Sequence, residues 1–310
     1  MPGRSYLASS GFSPGFALYS QVVSGIGSTR KPGEAPGSLE KRHAQYNVSF
    51  HQTHPKNYIV ERKPSPSIIL RTDRSTDGSQ ICYGAGTMLG IIGGTSLFFA
   101  DLPPLEEKII PTPYGKALVY TGDICLIPRH QNTLPPHNIN HRAHIAALKI
   151  LGVDRIVAFG SVGSLHVKYP PGSLLIPKDF ISWGKIPTFH DTTMVHVMPG
   201  FDHNLIIALA NMHPDIKIGG TYIQTTGPRF ETVAEVQTLS RIADMVGMTV
   251  ASEATLAAEL KIKIAAICTV DNYANGIGDE LISYETIVAA AKEGSARISL
   301  ILERVVEELQ

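Results

Sequence analysis

A change of texture at Met88 constrains this chain more than any other feature. Beyond it, short apolar runs of strand length alternate with stretches of helical periodicity, and most runs end in glycine or in polar turn residues. That alternation predicts an α/β fold, a single domain over residues 88–310 with a twisted mixed central β-sheet flanked by helices. The predicted strands are 89–92, 117–120, 124–127, 156–159, 174–176, 222–225 and 264–270, with Gly122-Asp123 marking a hairpin turn. Ile145, Leu148, Ile150 and Leu151 recur near helical spacing over 138–151, and Gly152 stands where a C-terminal cap is expected. Further helices are predicted near 203–212, 232–245, 252–261 and 284–308. No internal repeat and no long linker divides this part.

Residues 1–87 read differently. They are rich in Ser, Gly and Pro, as in Ser9-Ser10-Gly11, Lys31-Pro32-Gly33 and Pro64-Ser65-Pro66, and carry no sustained periodicity. We read them as a low-complexity, poorly ordered N-terminal extension. The first 33 residues hold Arg4, Arg30 and Lys31 and no acid, a faint likeness to a transit peptide. Two basic residues clustered at the end do not build the basic amphipathic helix such a peptide needs, so a disordered tail or a misassigned start is preferred.

Composition narrows the function classes. The chain carries 27 Lys+Arg against 27 Asp+Glu, which argues against a nucleic-acid or membrane-surface partner and requires any charged ligand to be held locally. Cys82, Cys125 and Cys268 are too few and scattered for a disulfide framework. No apolar run reaches the roughly 18 residues of a membrane span. A cytoplasmic protein is expected, with the nucleus open.

In α/β sheets ligands sit beyond the carboxyl ends of strands. Five polar segments lie there: 93–96, 129–132, 160–164, 227–231 and 271–276. The Gly93-Gly94-Thr95-Ser96 segment can close backbone N–H groups and two hydroxyls around an anion. It is neither a dinucleotide fingerprint nor a Walker sequence. Arg129 supplies a planar guanidinium suited to two phosphate oxygens, and 160–164 is predicted to be a third small-residue loop. Together they favour one phosphate or carboxylate site. His137, His141 and His144 fall at i, i+4 and i+7 on one helical face; without the acid of an HExxH pattern they read as lining a cleft or a subunit contact, and no metal is expected.

These segments together resemble the nucleoside phosphorylases, the family that includes purine nucleoside, 5′-methylthioadenosine and methylthioinosine phosphorylases. The resemblance rests on GIIGGTS at 90–96, TPYG at 112–115, PRH at 128–130, PPHNINHRAHIAALK at 135–149, GSVGSL at 160–165, TTGPRFETVAE at 225–235, VGMTVASEATLAAEL at 246–260 and VDNYANG at 270–276. It implies transfer of a pentose from a purine to inorganic phosphate, with phosphate as co-substrate, no metal or organic cofactor, and a homo-oligomer, a trimer or a hexamer. It further implies that Thr95, Arg129, His130, Ser161 and Thr249 bind phosphate, that Gly163, Phe230, Met248, Asn272 and Tyr284 bind the nucleoside, and that Asn272 and Asp271 act at the base edge. Phe230 would stack on the purine and Met248 would lie under the ribose.

The base edge separates substrates. A 6-aminopurine offers a donor that a carboxylate accepts, whereas a 6-oxopurine offers acceptors that suit the amide of Asn. Methylthioadenosine phosphorylases carry Asp-Tyr-Asp here. Aligned on Tyr273, this chain has Asn272 and Ala274, as the 6-oxopurine members do, but a shift of one residue would bring Asp271 into place and reverse the reading. Two departures stand out. The family's Arg-His-Gly-x-x-His has become Arg129-His130-Gln131-Asn132-Thr133, two residues shorter, with Asn132 where a sugar-side His is expected; and its Asn-Tyr-x-Ala-Asn has become Asn140-His141-Arg142-Ala143-His144. Near the 5′ pocket, Ile287 and Val288 suit a methylthio group and the Tyr284 hydroxyl suits a 5′-OH. Besides a 6-oxopurine nucleoside phosphorylase, the alternatives are a methylthioadenosine phosphorylase and a degenerate member that only binds nucleoside.

Overall fold

Strand β5, Val153–Ser164, is the axis of the molecule, and alternate residues along it feed two different cores. A computed structural model describes residues 88–310 apart from Phe98, Asn132, Glu280 and Leu281. The proposed extension 1–87, Cys82 and Asn132 therefore lie outside the described residues. In chain order the elements are β1 (Met88–Gly93), β2 (Glu106–Thr112), β3 (Gly115–Thr121), β4 (Cys125–Pro128), α1 (His141–Ile150), β5, β6 (Leu174–Ile176), β7 (Asp179–Ser182), α2 (His203–Asn211), β8 (Ile216–Ile218), β9 (Thr221–Gln224), α3 (Val233–Leu239), β10 (Met245–Gly247), α4 (Val250–Glu259), β11 (Lys263–Tyr273), α5 (Tyr284–Glu293) and α6 (Ser295–Leu309).

The strands join one mixed sheet. Its main path runs β2-β3-β4-β1-β5-β10-β9-β7, and β11 pairs with β5 and carries β6 and β8 on its other edge. Strands β1, β4, β5 and β11 are parallel neighbours, whereas β2–β3, β3–β4, β5–β10 and β6–β11 are antiparallel. Because side chains alternate across a strand, Ile156 and Ala158 of β5 join Ala266 and Cys268 of β11 in a core covered by α1 and α4. Val157 and Phe159 join Ala265 and Ile267 in a second core, covered by α2 and α6. Burial on both faces accounts for the near-continuous apolar runs of these strands.

Several expectations change. Residues 160–164 are not a loop but the end of β5, paired from Gly160↔Cys268 to Ser164↔Tyr273, and residues 271–273 likewise end β11. Small residues allow this close pairing: a Cβ at Gly160 would already press on Cys268 and Val250. The helix expected over 232–245 stops at Leu239, where the chain turns to enter β10, and that expected over 284–308 is two helices that meet at Gly294. Strands β2, β7, β8 and β10 were not predicted. Gly152 does close α1 with φ of +83°, its N–H donating to Lys149 O. Cys125 and Cys268 are free, buried thiols, and burial pushes them up to about 11 and about 12. Among the described residues no helix is long and apolar enough to cross a membrane.

Candidate functional site

The carboxyl ends of β1, β4, β5 and β11 converge on one corner, and Arg129, one residue past β4, lies at its centre. Its backbone N–H donates to Gly93 O at 2.7 Å, tying the end of β4 to the glycine turn after β1. A Cβ on Gly94 would collide with Nη1 of Arg129, so the second glycine is the space in which the guanidinium lies. Nε and Nη2 donate to the two carboxylate oxygens of Glu253 at 2.6 and 3.0 Å, and Nη1 donates to Phe159 O at 2.7 Å. Arg129 is 2% exposed and Glu253 0%. Burial alone would lower the arginine's affinity for its proton; Glu253 reverses the sign and holds the group above its ordinary value. Of five guanidinium N–H donors, these bonds occupy three and leave two uncommitted.

Glu253 escaped the sequence reading. It lies in α4 within the motif VGMTVASEATLAAEL, and the one available signal was a lone acid on an otherwise small, apolar helical face. The same helix places Thr249 at its N-cap, without a side-chain cap bond, and the first N–H groups of the helix, from Thr249 and Val250, reach the Tyr222 hydroxyl at 3.1 and 3.3 Å. Thr95 is half-buried in the turn after β1, and Ser96 Oγ beside it is buried without a partner. Half-buried His130 bonds Leu134 O through Nδ1 at 2.8 Å, and burial lowers its pKa.

Across the β5–β11 ladder, Asp271 accepts from the Ser161 hydroxyl and, at 2.9 Å, from Thr269 Oγ1. Burial pushes this carboxyl up to about 6, against the two hydroxyl bonds that favour its charged form. The pairing register shifts between Val270 and Asn272, so Asp271 is the extra residue of a bulge and Asn272 stands opposite Gly163. The two neighbours thus point their side chains to different partners. Asn272 Nδ2 bonds Tyr273 O at 2.7 Å and would lie 3.4 Å from a Cβ at Gly163.

Of the other expected residues, Met248 lines one of two adjoining cavities that share Thr225 and Thr226, whereas Gly163, Phe230, Asn272 and Tyr284 line neither. One, about 230 Å³, is lined by Met248, His137, His141, Gln224, Ser252 and Lys185 among others; the second, about 280 Å³, by Trp183, Gly227, Arg229, Glu231, Glu235 and Leu239. Neither is lined by Thr95, Arg129, Ser161 or Asp271. Phe230 is 37% exposed, flanked by Arg229, which forks onto Glu235, and by buried Glu231, which accepts from Thr225 Oγ1 at 2.6 Å. Tyr284 opens α5, which packs against β11 and the 95–97 turn, and is 62% exposed. His137 and His141 do line a cleft, as expected from the sequence. His144 is buried behind them, and among the described residues no group of three or more His, Cys, Asp or Glu side chains could hold a metal ion.

The strand ends thus gather one buried cationic fork and the hydroxyls of Ser161 and Thr269, while the two cavities carry polar linings of their own. Comparison with known proteins identifies the family. Residues 88–307 match the family model described as "Phosphorylase superfamily", and the chain belongs to that family. A protein of Archaeoglobus fulgidus described as "Probable 6-oxopurine nucleoside phosphorylase" is 43% identical over 235 residues, covering 72% of this chain and 97% of the relative. One of Methanocaldococcus jannaschii described as "Probable S-methyl-5'-thioinosine phosphorylase" is 37% identical over 229 residues, covering 70% and 90%. Among solved structures, a methylthioadenosine phosphorylase from Schistosoma mansoni in complex with adenine aligns with a TM-score of 0.64 at 24% identity, covering 72% and 92%, a likeness of fold.

Proposed function

We propose that this protein is a purine nucleoside phosphorylase that joins inorganic phosphate to C1′ of a 6-oxopurine nucleoside, releasing the free base and a pentose 1-phosphate. The observation that carries the 6-oxopurine reading is the bulge in β11. It turns Asp271 towards Ser161 and Thr269 and leaves the neutral amide of Asn272 as the group facing Gly163. The relatives named for 6-oxopurine and methylthioinosine substrates support the same class.

The mechanism follows from charge. Departure of the base leaves an oxocarbenium-like C1′, so the site must hold an anionic nucleophile on one face and draw electrons into the purine on the other. Phosphate lies against the free N–H groups of Arg129 and the hydroxyls of Thr95 and Thr249, with His130 at its edge, and the Ser161 oxygen, whose proton is given to Asp271, accepts from the P–OH of monohydrogen phosphate. Glu253 neutralises the guanidinium, so the pocket grips the dianion through directed donors rather than excess positive charge. The purine stacks on Phe230 and the ribose rests on Met248, with Gly163 keeping the approach to the ring open. The Asn272 amide donates to the oxo edge as negative charge builds there, and buried Glu231 can accept from the N1–H that only a 6-oxopurine carries. Asp271 holds the Ser161 hydroxyl in position. Tyr284, with Ile287 and Val288 on the same helix, bounds the 5′ substituent, either hydroxyl or methylthio.

No metal or organic cofactor takes part, and activity should survive chelation. We place the enzyme in the cytoplasm as a homo-oligomer, trimer or hexamer. Trp183, Met194, Val195 and Met198 support the assembly as exposed apolar side chains within one connecting segment. Light scattering of the purified protein checks this, and a monomer refutes it. The test of function is base release from inosine, guanosine, methylthioinosine and methylthioadenosine with and without phosphate. Faster cleavage of methylthioadenosine contradicts the substrate class; release that ignores phosphate contradicts the reaction.

A further inference from the structure

We propose that His141 is a positioning residue that couples occupancy of the sugar-side cavity to the hold of Arg129 on phosphate, with the Glu253 carboxylate as the intermediary and a pentose hydroxyl as the group that triggers it. The inference rests on the phosphorylase reading above. Its basis is a juxtaposition. The His141 ring lines the cavity of about 230 Å³ beside Met248, Gln224 and Ser252, and its Nδ1 lies 3.9 Å from Glu253 Oε1, the oxygen that accepts Arg129 Nε at 2.6 Å. His141 is 6% exposed and its Nδ1 is buried without a hydrogen-bond partner. At 3.9 Å the bond to Glu253 is unmade, and an unmade buried bond is a cost that a small shift of ring or carboxylate would remove.

The ring is neutral in this setting. Burial, then the charges of Arg129 and His130, lower its pKa to about 3, and burial and His141 itself lower that of His144, behind it at 6.3 Å between ring centroids, to about 3. A neutral imidazole has one proton for two nitrogens. When a ligand hydroxyl donates to Nε2, on the opposite edge of the ring, the proton is fixed on Nδ1 and faces Glu253. With the cavity empty, no partner selects that tautomer. Its neighbours Gln224 and Ser252 do not compete, because they bond each other, side chain to side chain at 2.7 Å and Ser252 N to Gln224 Oε1 at 2.9 Å, while His137, Lys185 and Thr226 of the same wall are open to other groups of the ligand. An Nδ1–H bond to Oε1 orders the carboxylate that aligns Arg129, so sugar binding tightens phosphate binding and, by reciprocity, phosphate tightens the sugar.

The test titrates phosphate calorimetrically into the full-length protein, alone and saturated with a C-nucleoside analogue of inosine that cannot be cleaved. Wild type should bind phosphate about tenfold more tightly with the analogue present. His141→Phe, which keeps the ring volume and loses both nitrogens, should bring that factor close to one, and His141→Gln, whose amide can both donate and accept, should restore part of it. Equal factors in wild type and His141→Phe, or no coupling in wild type, overturn the proposal. Should the Phe variant fail to fold, imidazole ¹⁵N shifts of wild-type His141 decide: the analogue should move the ring to the Nδ1–H tautomer, and unchanged shifts overturn the proposal. Failure of wild type to bind either ligand defeats the phosphorylase reading as well, whereas binding of both with a factor independent of His141 defeats this inference alone.

Discussion

The corner we propose for phosphate and the side we propose for the nucleoside are built by opposite means. Around Arg129 the charged groups are held before any ligand arrives: the guanidinium is forked onto Glu253 and bonded to Phe159 O, and Ser161 and Thr269 converge on Asp271. Around Phe230 and Tyr284 the side chains are exposed, and the nearest ion pair, Arg229–Glu235, is a surface one. The difference follows from what each ligand brings. Phosphate is small and strongly hydrated, so the protein must offer fixed donors in place of its water. A purine brings apolar area of its own and can close an open platform on binding.

Replacing Arg129 should break the contrast most severely. Arg129→Ala leaves Glu253 as an unpaired buried charge and should cost about 3–5 kcal/mol of stability, read as a large fall in Tm. Arg129→Lys keeps the charge but not the fork, and should fold with a phosphate KM raised about tenfold or more and a nucleoside KM little changed. A normal phosphate KM in the Lys variant would remove Arg129 from the anion site. On the nucleoside side, Asn272→Asp should move preference towards 6-aminopurines, raising the ratio of methylthioadenosine to inosine turnover by about 10–100-fold; an unmoved ratio would show that Asn272 does not face the base.

The pH dependence of stability sharpens the comparison from within the corner. Folding raises the Asp271 pKa from its ordinary value to about 6, so burying its charged form opposes folding. The penalty is absent below the unfolded pKa, grows as pH rises from about 4 to about 6, and is then constant at up to about 3 kcal/mol. Asp271→Asn carries no such penalty. Its Tm relative to wild type should therefore climb across that window and level off; a difference independent of pH would place Asp271 in a more solvated setting. The smallest effect is expected on the open side, where Arg229→Gln removes only an exposed pair and should leave Tm unchanged.

The same contrast explains what could be read from the sequence. Buried strands announce themselves by apolar runs, so β6 was legible to the residue and β1, β5 and β11 in outline. Strand β2, Glu-Glu-Lys-Ile-Ile-Pro-Thr, is an exposed edge whose charges hide it, β8 is interrupted by Lys217, and β10 begins at Met245, inside the helix expected over 232–245. Gly160 to Ser164 looked like a loop because small residues serve close strand pairing as well as turns. Within the proposed site, the candidate residues stood out by motif, but Glu253 did not: its role depends on a fork with a residue 124 positions away, a pairing that only the folded sheet creates. The bulge at Asp271 was equally hidden, and with it the separate directions of Asp271 and Asn272.

The most direct test of the whole account is the phosphate dependence of cleavage by purified enzyme on paired substrates, inosine or methylthioinosine against methylthioadenosine. Base and pentose 1-phosphate formed in equal amounts, only with phosphate and faster from the 6-oxopurine, is the predicted result. Phosphate-independent base release, or preference for methylthioadenosine, would contradict it.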